Sequence, residues 1–368
     1  YYRYSLFEGL LDGNDVLTNM HANTTIPEVL GAARAYEVTG EKKWLKIVEA
    51  YWYRAVVTRG TFCTGGQTDG EIWTPEQRFA ARLGEKNQEH CTVYNMMRLA
   101  DFLFCQTGDV QYADYWERNL YNGILAQAYY QYSRGGHGEC SGHPEKGLLT
   151  YFLPLKSGGV KAWASKTHDF FCCHGSLVQA NAGHVDGIYY QDEDSVYICQ
   201  YFPSELNCKA GNSAVKIVQR TDTLAGNKTM FDSMTGCQRI NPQAAQYPDH
   251  PHVLCNYIKV SCAQETDVTI KIRVPSWHKG EIFLAINGEK IQPEIQNGYI
   301  TLSKQWKEDE VQFIFRKEIH CVPLPDMPDT CAFLYGPVVL AGISSGQTLY
   351  LPQGKRPEEL LTADNERE

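Results

Sequence analysis

Residues 39–44 read Thr39-Gly40-Glu41-Lys42-Lys43-Trp44, and residues 107–112 read Thr107-Gly108-Asp109-Val110-Gln111-Tyr112. Both are Thr-Gly-acid-x-x-aromatic, at an offset of 68 residues. In each, glycine suits a helix end that turns into the left-handed region, and the acid suits the start of the next helix. The flanks agree. From Ile26 to Val38, the apolar positions Ile26, Val29, Leu30, Ala33 and Tyr36 share one helical face, with Pro27 expected in the first turn. From Lys43 to Val57, Trp44, Ile47, Val48, Tyr51, Trp52 and Ala55 repeat the pattern, and two further helical segments are expected around Cys91 to Phe104 and Tyr112 to Ala128. Repeated helical hairpins of this kind suggest an array closed into an α/α toroid. The intervening loops, Gly60 to Asn87 and Tyr132 to His168, are long and Gly-rich, which in a compact domain usually marks function.

After about Gly187 the pattern becomes β. Ser195 to Tyr201 reads as a strand. Val268, Ile270, Ile272 and Val274 alternate with Thr269, Lys271 and Arg273, as in a half-buried strand. Ile282 to Ile286 runs into Asn287-Gly288, a hairpin signal, and Tyr299 to Leu302 and Val311 to Phe315 add strands. Short strands at this spacing indicate antiparallel sandwiches. The expected organisation is a multidomain α + β chain: an α/α-barrel region over 1–187, β-sandwich regions over 188–265 and 266–350, and a loose charged tail over 351–368.

The 368 residues exceed what one core usually holds. A net charge of −9 argues against nucleic acid and anionic membrane as partners. No apolar run approaches the roughly 20 residues of a membrane span. Thirteen cysteines, an odd number without framework spacing, suit reduced thiols, so the cytoplasm is slightly favoured over the periplasm. The opening YYRYSLFEGLL lacks a basic leader and a cleavage site, and reads like the interior of a longer protein or a processed product.

The chemistry centres on Phe170-Phe171-Cys172-Cys173-His174-Gly175-Ser176. Two adjacent thiols admit three readings: a buried apolar pair, a strained vicinal disulfide, or two metal-bound thiolates. Metal would need partners, and Glu89 with Cys91 is the best candidate pair, giving Glu, Cys, Cys and Cys; His90 and His174 are runners-up. The bland alternative makes Cys91 a small buried residue and Glu89 a helix-start carboxylate. In Thr64-Gly65-Gly66-Gln67-Thr68-Asp69-Gly70-Glu71-Ile72-Trp73, one glutamate before an aromatic suits a general acid, although a solvated loop glutamate is the commoner case. Gly65-Gly66 lacks the Lys-Ser/Thr of a phosphate loop.

Taken in order, His21-Ala22-Asn23-Thr24, Thr64 to Glu71 (TGG-x4-GE), Glu89-x-Cys91, Glu117 to Asn122 (ERNLYN) and Cys172-Cys173 resemble glycoside hydrolase family 127, the β-L-arabinofuranosidases and their relatives. Ile272 to Trp277 (IRVPSW) and Leu334 to Pro337 (LYGP) look like that family's β domains, so the resemblance runs to about Ala341. It implies an (α/α)6-barrel catalytic domain, here without its N-terminal part, followed by β-sandwiches. It implies Zn2+ held by Glu89, Cys91, Cys172 and Cys173, with Cys172 as nucleophile and Glu71 as general acid/base in a retaining exo-glycosidase. His21, Glu117 and Tyr151 would contact an arabinofuranosyl-type or related sugar drawn from plant-type oligosaccharides or glycoconjugates. A homodimer is one possible assembly. The chain departs from the pattern where CCHGS replaces C-C-P-P-N, which bears on sugar choice. Two rival readings remain: a metal-free barrel glycosidase or lyase using Asp69 with Glu71, or Glu76, and a non-enzymatic zinc-stapled carbohydrate-binding protein.

Overall fold

A computed structural model describes residues 2–127, 148–165, 167–210, 213–222, 253–342 and 354–355. The expected tail over 351–368 falls largely outside these residues, as does the part of the Tyr132 to His168 loop over 132–147. The chain forms two compact units, each in its described residues: Tyr1–His184 with Cys321–Phe333 and Pro337–Leu351, and Val185–His320 with Leu334–Gly336 and Pro352–Glu368.

The first unit is mainly helical. It contains α1 (Tyr4–Leu11), α2 (Ala22–Thr39), α3 (Lys42–Trp52), α4 (His90–Thr107), α5 (Val110–Asn119), the short α6 (Leu125–Gln127) and α7 (Cys172–Ala182). Both repeat motifs join helices as the sequence predicts. Gly40 and Gly108 sit at φ 69° and 65°, and their amides donate to the Tyr36 and Phe104 carbonyls at 2.8 and 2.7 Å. Asp109 caps α5 by accepting from the Gln111 amide at 3.0 Å, whereas the Glu41 side chain makes no such bond. One core gathers Leu6, Ile26, Val29, Ile47, Val48, Trp52, Trp73, Leu99 and Tyr115.

Two helix readings need correction. α2 begins at Ala22, so Pro27 lies inside the helix rather than in its first turn, and its missing N–H removes one bond of the ladder. Helices α3 and α5 run on through π-helical turns, Tyr53–Thr58 and Leu120–Ile124, which widen the helix locally. In the second, a Cβ on Gly123 would meet Val93 Cγ1 at 2.6 Å, so only glycine lets α4 approach this closely.

The Gly60 to Asn87 loop is not structureless. It holds β1 (Thr68–Asp69) and β2 (Ile72–Trp73), which with β3 (Asn87–Glu89) and β4 (Phe152–Leu153) form a small sheet ordered β2-β1-β3-β4. Only one or two residue pairs join each strand to the next, too little periodicity for a sequence to announce.

The second unit is built on β5 (Tyr189–Gln191), β6 (Ser195–Ile198), β7 (Ser204–Ala210), β8 (Ser213–Asp222), β9 (Val253–Arg273), β10 (Phe283–Ile286), β11 (Glu289–Lys290), β12 (Ile295–Gln296) and β13 (Tyr299–Arg316). The strand order is β11-β10-β13-β9-β6-β5, with β12 on β13 and β8, then β7, extending from β9. The expected strands Tyr299 to Leu302 and Val311 to Phe315 are two parts of one strand, β13. Its register against β9 shifts between Trp306 and Glu308, a bulge that bends the strand without ending it. Asn287 and Gly288 turn β10 into β11 at φ 52° and 83°, as that dipeptide predicts. Val196, Ile258, Ile270, Ile272, Ile300, Trp306 and Phe313 make the core.

A three-stranded sheet follows, ordered β14 (Ile319–Leu324), β15 (Met327–Tyr335) and β16 (Val338–Val339). Among the described residues no helix is long and apolar enough to cross a membrane. The protein is therefore a mixed helix-and-sheet, multidomain chain.

Candidate active site and metal centre

Three local structures bring the predicted residues together. β3 delivers Glu89 to the start of α4, where Cys91 follows two residues later. The residue before, Gln88, adopts φ 49° to make the turn from strand to helix. The Cys172-Cys173 pair opens α7, so both sulfurs leave from one helical turn. Helices α4 and α7 pack through Cys91, Leu149 and Cys173, joined by Tyr151, Phe171 and Leu177.

Glu89, Cys91, Cys172 and Cys173 thereby offer one ligand atom each, all within 4.8 Å of one another. The Cys91 and Cys173 sulfurs are 3.6 Å apart, those of Cys172 and Cys173 3.9 Å, and Cys172 Sγ is 3.5 Å from Glu89 Oε1. A tetrahedral zinc with its usual bond lengths sets its ligands roughly 3.8 Å apart for two sulfurs and roughly 3.5 Å for sulfur and oxygen. The donor set and its spacing thus fit a metal ion of that type. At 3.9 Å the adjacent sulfurs are not bonded, so no vicinal disulfide exists.

Electrostatics point the same way. Hydrogen bonds from Cys173 and Ser176 hold the Cys91 thiol down at about 6, against the opposing effect of burial. Its charge and burial push Glu89 up to about 8, with burial the larger cause. Burial pushes Cys172 up to about 11, and the bond with Cys91 pushes Cys173 up. Four acidic groups packed this tightly without a cation ionise one at a time, because each negative charge raises the cost of the next.

Two hydroxyls support the ligands. Ser176 Oγ donates to Cys91 Sγ at 3.1 Å, and Thr92 Oγ1 donates to Glu89 Oε2 at 3.0 Å. Sequence reasoning missed both. Ser176 lies three residues after Cys173, so it would have been found had the helix been read to start at Cys172. The runner-up ligands lie outside the four-atom cluster. His174 Nδ1 accepts the Phe171 amide at 2.8 Å, closing the first turn of α7, and its ring stacks on Phe170 at 5.3 Å. His90 is fully buried with neither ring nitrogen hydrogen-bonded, and burial pulls it down to about 4.

Glu71 occupies the tip of the β1–β2 hairpin beside Gly70, whose φ of 60° makes the tight turn. Its carbonyl accepts the Ala22 amide at 2.7 Å, tying the hairpin to the start of α2 and to His21. His21 Nε2 lies 3.1 Å from Glu71 Oε2. The Tyr151 hydroxyl donates to Glu71 Oε1 and lies 3.5 Å from Cys172 Sγ. One phenol oxygen thus touches both groups and keeps carboxyl and thiol within roughly 6 Å of each other. Cys172 is exposed, while Cys91, Cys173 and Glu89 are buried. Gln127 Nε2 donates to the Tyr151 and Gln88 carbonyls at 3.1 and 2.9 Å, so one side chain holds both walls of the site.

Glu117 is buried on α5. Of the carboxylates of the metal-free alternative, Glu71 lies in this site and the other two are engaged in ion pairs. Asp69 pairs with Arg82 at 3.6 Å, and Glu76 pairs with Arg54 at 3.2 Å and accepts from Thr58.

A helical unit and a sheet unit, with a Glu/Cys3 cluster able to take a metal ion beside a second carboxyl group, make up the described structure. Residues 3–186 match the family model described as β-L-arabinofuranosidase, GH127 catalytic domain, and residues 195–316 match the β-L-arabinofuranosidase, GH127 middle domain. The chain belongs to glycoside hydrolase family 127. Among solved structures it is similar to a GH127 β-L-arabinofuranosidase from Geobacillus stearothermophilus T6, at 19% identity and TM-score 0.60, covering 88% of this chain and 47% of that one. It is also similar to a GH127 β-arabinofuranosidase at 21% identity and TM-score 0.64, covering 88% and 48%. A third structure, named a glycoside hydrolase, has 16% identity and TM-score 0.61, covering 88% and 52%. The chain spans about half the length of these structures. At these identities the likeness is one of fold. No curated protein matches the sequence.

Proposed function

We propose that this chain carries the catalytic centre of a retaining exo-glycosidase acting on an arabinofuranosyl-type or related sugar of plant-type oligosaccharides or glycoconjugates. In this reading its helices belong to an (α/α)6 barrel and its strands to β-sandwiches. The observation that carries the proposal is the Tyr151 hydroxyl, which joins the Glu71 carboxyl to the Cys172 thiol at the edge of the four-ligand cluster.

Glu89, Cys91, Cys172 and Cys173 would hold zinc, whose charge keeps the Cys172 sulfur ionised near neutral pH and fixes its position. Cys172 is the one exposed member, so it is the sulfur a substrate reaches. Its lone pair attacks the anomeric carbon as the glycosidic C–O bond breaks, and Glu71 gives its proton to the departing oxygen. The sugar is then held as a thioether on Cys172. Glu71, now a carboxylate, takes a proton from water. The water oxygen bonds the anomeric carbon, sulfur leaves, and two inversions restore the configuration. A separation of roughly 5 Å between nucleophile and acid is the spacing that retaining enzymes use. His21 and Tyr151 hold the two Glu71 oxygens and, with Glu117, contact sugar hydroxyls.

The decisive test incubates the protein with a slow aryl furanoside and measures intact mass, followed by peptide mapping. A pentosyl adduct on Cys172, absent from Cys172→Ser, is expected. An adduct on Glu71 or another carboxylate would overturn the cysteine mechanism.

A further inference from the structure

Residues 321–342 lie beyond both family-model matches, yet their described part mostly packs in the first unit. The turn between β14 and β15 is Pro325-Asp326, and its acid reaches back across 246 residues. Asp326 Oδ1 accepts the amides of Phe79 and Ala80 at 3.1 and 3.0 Å, and Oδ2 accepts the Ala80 amide at 3.2 Å. These amides open the short helical turn Ala80–Arg82, where they have no partner of their own within the turn. A second tie lies further on. Asn122 Nδ2 donates to the Pro337 carbonyl at 2.8 Å, and its Oδ1 accepts the Val339 amide at 2.8 Å.

The turn that Asp326 holds is wired to the Glu71 hairpin. Arg82 pairs through its guanidinium with Asp69 at 3.6 Å, two residues before Glu71. Asn87 Nδ2 donates to the Arg82 carbonyl at 3.0 Å and to the Thr68 carbonyl at 3.2 Å, so turn and hairpin share one side chain. The Gly70 amide donates to the Lys86 carbonyl at 2.6 Å. The hairpin itself pairs through only two residues on each strand and needs this external support to hold one position.

We propose that the β14–β15 hairpin is a clasp for the loop that carries Glu71, with Asp326 as a positioning residue for the acid/base. Asp326 touches neither the cluster nor Glu71 among the bonds described; it acts by fixing the Ala80–Arg82 turn and, through Arg82 and Asn87, the hairpin tip. The kinetic consequence rests on the proposed function, whereas the structural one does not.

The test compares the full chain with Asp326→Ala and Asp326→Asn, the latter keeping one oxygen able to accept both amides. Hydrogen exchange should rise at least tenfold in peptides covering 68–87 in Asp326→Ala and stay within a few-fold of the parent in Asp326→Asn. Peptides covering 172–182 and the metal content should not change. On an aryl furanoside kcat should fall at least tenfold in Asp326→Ala and recover in Asp326→Asn. Unchanged exchange at 68–87, or a rise spread evenly over the whole first unit, overturns the clasp. Raised exchange with unchanged kcat overturns the positioning role. If the parent chain cleaves no furanoside, the functional reading fails while the exchange result still decides the clasp.

Discussion

Filling the Glu89–Cys91–Cys172–Cys173 cluster with zinc should expel about three protons at pH 7. The count follows from the site. Cys91, held at about 6 by bonds from Cys173 and Ser176, is already a thiolate at pH 7. Cys172, pushed up to about 11 by burial, keeps its proton, as does Cys173, raised by its bond to Cys91. Glu89, pushed up to about 8 by burial and then by the Cys91 charge, is roughly nine-tenths protonated at pH 7. Zinc takes thiolates and a carboxylate, so binding removes the two thiol protons and most of the third. Protons leave on binding, so affinity must rise with pH. The slope is near three decades per pH unit at pH 7 and falls toward two above pH 8, where Glu89 ionises unaided. Between pH 7 and 8 the gain is on the order of several hundred-fold, or about 4 kcal/mol. Titration calorimetry in buffers of different ionisation heat counts the protons directly, and chelator competition at several pH values measures the slope. Release of one proton or fewer, or an affinity flat from pH 7 to 8, would refute the claim that all four groups bind as anions.

Three further outcomes are expected. Tyr151→Phe removes the hydroxyl shared by Glu71 and Cys172 and should lower kcat by about 10- to 100-fold with zinc affinity unchanged, read by steady-state kinetics alongside metal analysis. Ser176→Ala removes the donor to Cys91 Sγ and should weaken zinc binding by about tenfold or more in chelator competition; no change would make that bond incidental. Trp306→Ala empties a fully buried site and breaks the 2.8 Å bond to the Val268 carbonyl, so urea unfolding of the sheet unit should lose about 3–5 kcal/mol. A loss under about 1 kcal/mol would mean the bulge beside it collapses to fill the space.

Local signals carried much of the helical half. Each Thr-Gly-acid motif marks a glycine that alone turns left-handed cheaply, so the helix ends at Gly40 and Gly108 could be placed from residues only. Pattern failed where chemistry and period diverge. Leu302 and Val311 looked like parts of separate strands because Lys304 to Glu310 is polar apart from Trp306, yet pairing with β9 carries the ladder through. α7 escaped because CCHGS has neither an N-cap side chain nor amphipathic period; His174 closes its first turn instead. The small β1–β4 sheet escaped because strands of two or three residues are too short to show a period.

Residue order alone supplied the Glu89/Cys91 and Cys172/Cys173 pairs, the Glu71 loop and the family resemblance, since each is a short motif in a recognisable sequence of motifs. Bringing pairs 81 residues apart to within 4.8 Å was the work of α4 packing on α7 through buried sulfur and leucine. The same holds for Tyr151 between Glu71 and Cys172, and for Asp326 on the amides of Phe79 and Ala80. Such contacts join side chains whose positions are set by burying apolar surface elsewhere, and chain order carries no record of which distant surfaces will meet.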